Sequence, residues 1–143
     1  MFIKISYLKR IMKKYYLDVL TDKYSDFNGR ARRKEYWFFS LYSSLVFIIC
    51  FVLDNILGTT LPIFDDLYGW FYILSAVIHF IPQLALVVRR LHDVGYSGHF
   101  YSTSILLTFV FFIGLIWIFV LLVSDGDKKD NKWGVNPKLI DKD

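Results

Sequence analysis

The sequence predicts an all-α integral membrane protein with three transmembrane helices, preceded by a basic amphipathic helix at the N-terminus. Hydrophobic residues make up 55% of the 143 positions, and they form long uninterrupted blocks instead of the scattered pattern of a soluble domain. Three of these blocks are long enough to cross a bilayer. Lys and Arg are concentrated before the first block and between the second and third, which favours a cytoplasmic N-terminus.

Residues 1–35 are predicted to form a cytoplasmic basic amphipathic helix followed by a turn. Apolar side chains recur at helical spacing on one face: Ile5, Leu8, Met12, Tyr15 and Val19. The segment carries ten Lys and Arg residues against four acids. Two interpretations remain open: the helix lies on an anionic lipid leaflet, or it packs on the cytoplasmic face of the protein itself.

Residues 36–123 are predicted to form the membrane domain, with spans at about 36–55, 67–88 and 101–123. The second span contains Pro82, which should kink it. His79 and Gln83 lie four residues apart in the same span and share a helix face. Polar side chains at membrane depth are candidates for function. The alternative is ordinary hydrogen bonding between helices by a neutral histidine.

The third block allows two topologies. As one helix, its 23 uncharged residues would cross the membrane and place the polar tail, residues 124–143, outside. A fold-back near Gly114 would keep every Lys and Arg inside, but each arm would have about 11 residues and a length of only ~16 Å. Length favours three spans, whereas charge favours the hairpin.

The polar stretch between the second and third blocks contains Arg89, Arg90, His92 and Asp93. It is explained structurally if Arg89 pairs with Asp93 at i,i+4 spacing, Gly95 follows the helix end, and Ser97 caps the next helix. The functional interpretation has the two arginines, with Arg30 and Arg33, binding a lipid phosphate. His92 and Asp93 would then be candidates for acid–base chemistry. The chain has no metal-binding motif and needs no cofactor under either interpretation.

The first two spans should be antiparallel neighbours, because a short loop joins them. Their cytoplasmic ends would then place Glu35 within reach of Arg89 or Arg90, and Asp93 within reach of Arg30 or Arg33. Unpaired buried arginines are costly, so these acids are the expected partners.

Three motifs follow one another along the chain: Phe27-x-Gly29-Arg30-x-x-Arg33-x-Glu35-Tyr36-Trp37, then Pro82 and Arg89-Arg90-Leu91-His92-Asp93-x-Gly95-x-Ser97-Gly98, and then Asn131-x-x-Gly134-x-x-Pro137. In this order they resemble the YhaH-like family of small bacterial inner-membrane proteins, a domain of unknown function (DUF805). The chain departs from the family at His99-Phe100, where a tryptophan is common. The resemblance implies a multi-pass protein of the inner membrane and brings no established activity.

The leading functional interpretation is a non-enzymatic membrane protein whose basic cytoplasmic face binds anionic lipid or a protein partner. That partner would be a second copy or another membrane protein, and nucleic acid is not expected. An alternative is a lipid-headgroup enzyme that uses His92 and Asp93. Another is a subunit of an oligomeric transporter, suggested by His79, Gln83 and Pro82.

Overall fold

The computed structural model describes residues 2–64, 66–111 and 113–140. Over these residues the regular structure is helical, with two isolated antiparallel bridges. The helices are α1 (Phe2–Met12), α2 (Asp18–Leu20), α3 (Arg33–Leu57), α4 (Trp70–Asp93), α5 (His99–Phe111), α6 (Ile113–Val123) and α7 (Pro137–Ile140). A π-helical turn, Lys13–Leu17, joins α1 to α2, and a 3-10 turn, Pro62–Phe64, precedes α4.

Two helices, α3 and α4, are long and apolar enough to cross a membrane. They have 25 and 24 residues, or about 37 Å and 36 Å at the usual helical rise. Their apolar side chains are largely exposed, for example Ile48, Ile56, Val77 and Phe80. A core helix of a soluble protein would bury such side chains, so these exposed faces are typical of contact with lipid.

The chain divides into two compact units. The first comprises the residues up to Tyr24 together with Phe38–Gln83, and the second comprises Ser25–Trp37 together with the chain from Leu84 onward.

In the first unit, aromatic side chains join the N-terminal segment to α3 and α4. Tyr15 stacks on Phe38 with ring centroids 5.5 Å apart, and Val19 is fully buried. Leu8 and Met12, on the same predicted face, are exposed. The second half of the N-terminal segment therefore packs on the protein, whereas contact of the first half with lipid stays a prediction.

The loop between α3 and α4 is organised by Asp54, which is fully buried. Its carboxylate accepts hydrogen bonds from the backbone N–H groups of Phe71 (3.1 Å) and Tyr72 (2.8 Å) in the first turn of α4. It also accepts one from the Thr59 hydroxyl at 2.6 Å. An acid from the end of α3 thus caps the start of α4, where a negative charge is stabilised by the helix dipole.

In the second unit, the predicted third span is two short helices that fold back on each other. α5 and α6 pack together, and the rings of Phe100 and Trp117 lie 6.2 Å apart. One continuous helix would separate these two residues by about 25 Å. The prediction of a single helix over 101–123 is therefore wrong. Phe112, near the predicted turn, lies outside the described residues, and Gly114 is in the first turn of α6.

The fold-back is explained by packing at the open end of the hairpin. Leu121 and Leu122, at the end of α6, share a core cluster with Val87 and Leu91 of α4. Phe100, at the start of α5, packs against the same cluster. Both ends of the third block thereby lie beside one end of α4, which a membrane-crossing helix would not allow.

Candidate functional site

The polar loop after α4 is a helix end of the Schellman type. Gly95 has φ +82°, a left-handed conformation in which glycine has no steric cost. Its N–H donates to the carbonyl of His92 at 3.2 Å, and the N–H of Tyr96 donates to the carbonyl of Leu91 at 2.9 Å. Ser97 contributes its carbonyl to the start of α5, accepting from the N–H of Phe100 at 3.0 Å. The expected role of Gly95 after the helix end is confirmed.

Asp93, the last residue of α4, is shared by two buried arginines. Its Oδ1 accepts a hydrogen bond from Arg30 Nε at 3.0 Å, and its Oδ2 accepts one from Arg90 Nη1. The side-chain exposures are 5% for Asp93, 1% for Arg30 and 0% for Arg90. One negative charge therefore lies between two buried positive charges, and nearby dipoles must provide the compensation for the excess positive charge.

Arg30 obtains that compensation from backbone carbonyls of the C-terminal tail. Its guanidinium donates to the carbonyls of Asp127 (2.7 Å), Lys129 (2.9 Å) and Gly134 (3.3 Å). All three of its nitrogens thus have a protein oxygen as partner. The tail is folded around this side chain.

Arg90 and Arg33 bind the end of α6. Arg90 donates to the carbonyls of Leu122 (3.2 Å) and Ser124, and Arg33 Nη1 donates to the carbonyl of Val123 at 3.0 Å. The last carbonyls of a helix have no partner within it, and the dipole there favours cations. These two arginines therefore satisfy and neutralise the end of α6 and hold it beside α3 and α4.

Asp125, just beyond α6, is an exposed acid between two bases. Its Oδ1 accepts from Arg33 Nη2 and from Lys138 Nζ, the latter at 3.0 Å. The hydrogen bond from Lys138, with the nearby charge of Arg33, lowers the pKa of this carboxyl below its usual value.

Arg89 pairs with Glu35 instead of Asp93. Its Nη1 lies 3.0 Å from Glu35 Oε1, and the arginine side chain is 2% exposed. Its Nε and Nη2 have no hydrogen-bond partner within the described part of the chain. The predicted i,i+4 pair of Arg89 with Asp93 is wrong: Asp93 pairs with Arg90, three residues before it, and with Arg30. Between the two helix ends, Glu35 was expected to reach Arg89 or Arg90 and pairs with Arg89. Asp93 was expected to reach Arg30 or Arg33 and pairs with Arg30.

His92 is a structural contact of the tail. Its Nδ1–H donates to the carbonyl of Gly29 at 3.1 Å, and its ring stacks on Trp133 with centroids 3.6 Å apart and an interplanar angle of 3°. Its own carbonyl accepts from Asn131 Nδ2 at 3.0 Å. His92 and Asp93 thus have different partners: the His92 ring contacts Gly29 and Trp133, and the Asp93 carboxylate accepts from Arg30 and Arg90.

The tail segment 126–134 fits this site closely. Asn131 and Gly134 exchange backbone hydrogen bonds of 3.2 and 3.0 Å, which closes a tight turn. A Cβ on Gly126 would lie 1.9 Å from Asp93 Oδ2, so only glycine allows this approach. Gly126, Asn131 and Trp133 were not expected at the site, because three spans would have put them across the membrane. The distribution of charge is the sequence feature that indicates their position, because a fold-back keeps all Lys and Arg on one side of the membrane.

The structure leaves few of the predicted phosphate-contact arginines accessible. Arg30, Arg89 and Arg90 are buried against protein acceptors, and only Arg33 is exposed, at 43%. Tyr36 packs on the core of this unit, and Trp37, which is exposed, makes an edge contact with Phe119. Gly98 packs closely on Val88. Phosphate contact stays a prediction.

In the first unit, His79 is satisfied by the protein. Its Nδ1–H donates to the carbonyl of Ser75 at 2.7 Å, and its Nε2 lies 2.8 Å from the Tyr16 hydroxyl. A carbonyl only accepts, so the neutral ring places its proton on Nδ1 and accepts from Tyr16. Gln83 is half-buried one turn further along α4. These contacts are those of a histidine that joins helices. The described residues contain no cluster of three His, Cys, Asp or Glu able to hold a metal ion.

Two exposed apolar helices of spanning length, with a polar end closed by buried arginines, define a small membrane protein. The chain belongs to the family described as "Protein of unknown function (DUF805)", which matches residues 24–135. It is 42% identical over 125 residues to inner membrane protein YhaI of Escherichia coli K12, covering 87% of this chain and 96% of that protein. It is 36% identical over 129 residues to inner membrane protein YhaH of the same organism, covering 87% and 97%. No solved structure matches the chain.

Proposed function

We propose that the protein is a non-enzymatic, multi-pass protein of the inner membrane that binds anionic lipid at its cytoplasmic face. The fold-back of α5 and α6 supports this most directly. It places the tail in the same unit as residues 25–37, the segment that enters α3. Exposed lysines of the tail, Lys128, Lys129 and Lys132, therefore belong to the same polar end as Lys34 and Arg33.

This topology satisfies the charge rule better than three spans. All 17 Lys and Arg residues fall in residues 1–34, 89–90 and 128–143, stretches that a fold-back keeps on one side of the membrane. With that side cytoplasmic, the loop between α3 and α4 is external and carries no Lys or Arg. α5 and α6 have 13 and 11 residues, about 20 Å and 16 Å, too short to cross a hydrocarbon core of about 30 Å. They form a hairpin that enters and leaves from the cytoplasmic side.

The buried and exposed bases have different roles in this proposal. Arg30, Arg89 and Arg90 hold the helix ends and the tail together. The exposed lysines attract anionic headgroups, each adding about 1 kcal/mol near a charged surface. An enzymatic role is less well supported, because the Asp93 carboxylate accepts hydrogen bonds from two arginines and the His92 ring stacks on Trp133 of the tail.

The test is lipid selectivity of the full-length protein in bilayers of phosphatidylcholine. Electron spin resonance of trace spin-labelled lipid measures the fraction immobilised at the protein surface. We expect phosphatidylglycerol to associate more strongly than phosphatidylcholine, with a preference that high salt removes. Replacing Lys128 and Lys129 by Gln should reduce it, because both side chains are exposed. Equal association of the two lipids with the unmodified protein would contradict the proposal.

A further inference from the structure

Arg33, Asp125 and Lys138 form an exposed ionic contact at the polar end. The side chains are 43%, 60% and 47% exposed. One carboxylate oxygen accepts from both bases. An exposed ion pair of this kind is weak, so an anion from outside competes with Asp125 at little cost. The buried pairs of Arg30 and Arg90 offer no such exchange.

This contact lies where the apolar part of the unit ends. Arg33 is the first residue of α3 and bonds to the carbonyl of Val123, the last residue of α6. One turn beyond Arg33, Trp37 is exposed, as expected at headgroup level. Next to Lys138, Leu139 and Ile140 are 62% and 73% exposed. Bases flanked by exposed apolar side chains are typical of a surface that meets lipid.

On the basis of the lipid-binding function proposed above, we infer that Arg33 and Lys138 form a binding site for the phosphate of an anionic phospholipid. The Asp125 carboxylate occupies this site when lipid is absent. The acid is thus an internal substitute for the headgroup. Lipid binding exchanges one anion for another and leaves the bond from Arg33 to Val123 in place.

The chemistry of the two anions supports the exchange. A phosphodiester carries one negative charge, like the carboxylate, and its two free oxygens match the guanidinium fork of Arg33 and the ammonium of Lys138. Inorganic phosphate can accept hydrogen bonds from the same two donors, Arg33 and Lys138. The exposed Leu139 and Ile140 favour the lipid, since free phosphate gains nothing from apolar neighbours.

The experiment measures relative association of spin-labelled phosphatidylglycerol with full-length protein in phosphatidylcholine bilayers. Asp125→Asn removes the internal competitor, and we expect phosphatidylglycerol association to rise about two- to fivefold, the range that an exposed ion pair allows. Asp130→Asn is the matched control: it changes the net charge equally, and its Oδ1 accepts from the N–H of Asn136, a bond that Asn can keep. The double variant with Asp125→Asn and Lys138→Gln keeps the original net charge and should lose the gain.

The outcomes separate this inference from the function on which it rests. If the unmodified protein prefers phosphatidylglycerol but Asp125→Asn and Asp130→Asn raise association equally, general charge attraction is sufficient and the site is refuted. A decrease with Asp125→Asn also refutes it. If inorganic phosphate at matched ionic strength cancels the Asp125→Asn gain while chloride does not, the site takes free phosphate and the lipid assignment is overturned. Absence of any preference in every variant refutes the proposed function itself.

Discussion

Replacing Asp93 by Asn should destabilise the protein more than any exposed acid-to-amide change. The substitution keeps the shape but removes the charge that Arg30 and Arg90 share, and its amide turns a donor toward one of them. Both arginines remain buried. Removing one partner from a buried ion pair costs about 3–5 kcal/mol.

For a chain of this size, a loss of that magnitude lowers the Tm by about 6–20 °C, since 1 kcal/mol corresponds to roughly 2–4 °C. The assay is thermal unfolding in detergent followed by tryptophan fluorescence, in which Trp133 reports from beside His92. Asp22→Asn is the matched control, because Asp22 is exposed, and Lys128→Gln is a second. Both should leave the Tm within about 2 °C. If Asp93→Asn behaves like these controls, the shared carboxylate does not hold the unit together.

Three further predictions concern the membrane topology, the Asp125 contact and the hydrogen bond between Tyr16 and His79. Reporters fused at residues 96 and 140 should both give a cytoplasmic signal and one at residue 60 an external signal; an external signal at 140 would contradict the fold-back topology. Acidification should remove the stability that Asp125 contributes, because Lys138 and then Arg33 lower the pKa of the Asp125 carboxyl in the folded protein. This contribution is fully present above pH 3.8, the usual pKa of an aspartate, and disappears as the pH falls through the lower pKa of the folded state. The Tm difference between the unmodified protein and Asp125→Asn should therefore vanish in acid, and a constant difference would argue against the pair. Tyr16→Phe should cost about 1–3 kcal/mol, because it leaves Nε2 of buried His79 unpaired; unchanged unfolding would show that this bond contributes nothing.

The long helices were predictable because their signal is local. Uninterrupted apolar runs of spanning length place α3 and α4 within a few residues of their observed ends. The position of Gly95 after the helix end is also predictable, because glycine adopts the left-handed conformation there without steric cost. The short loop predicts that Glu35 reaches an arginine at the end of α4, but it does not distinguish Arg89 from Arg90.

The hairpin does not follow from the sequence, because two rules conflict at residues 101–123. Their length predicts a single membrane-crossing helix, whereas the distribution of Lys and Arg favours a fold-back. The deciding contacts are long-range: Arg90 and Arg33 bind carbonyls at the end of α6, and Leu122 packs on α4. Helical periodicity contains no information on backbone carbonyls as partners of distant arginines. The carbonyls of the tail that accept hydrogen bonds from Arg30 therefore cannot be predicted from it either.

The bonds between Arg30 and the tail have a consequence for biogenesis. Arg30 is made early in synthesis, whereas the carbonyls of Asp127, Lys129 and Gly134 that it binds are made roughly a hundred residues later. Until then the growing chain holds a guanidinium destined for burial with only the acid of α4 as a partner. The polar end of the protein can therefore close only after the hairpin has turned back and residues 127–134 have been synthesised. A product truncated before the tail would keep its apolar helices yet lack this closure, which gives cellular proteolysis a physical basis for distinguishing finished from unfinished copies.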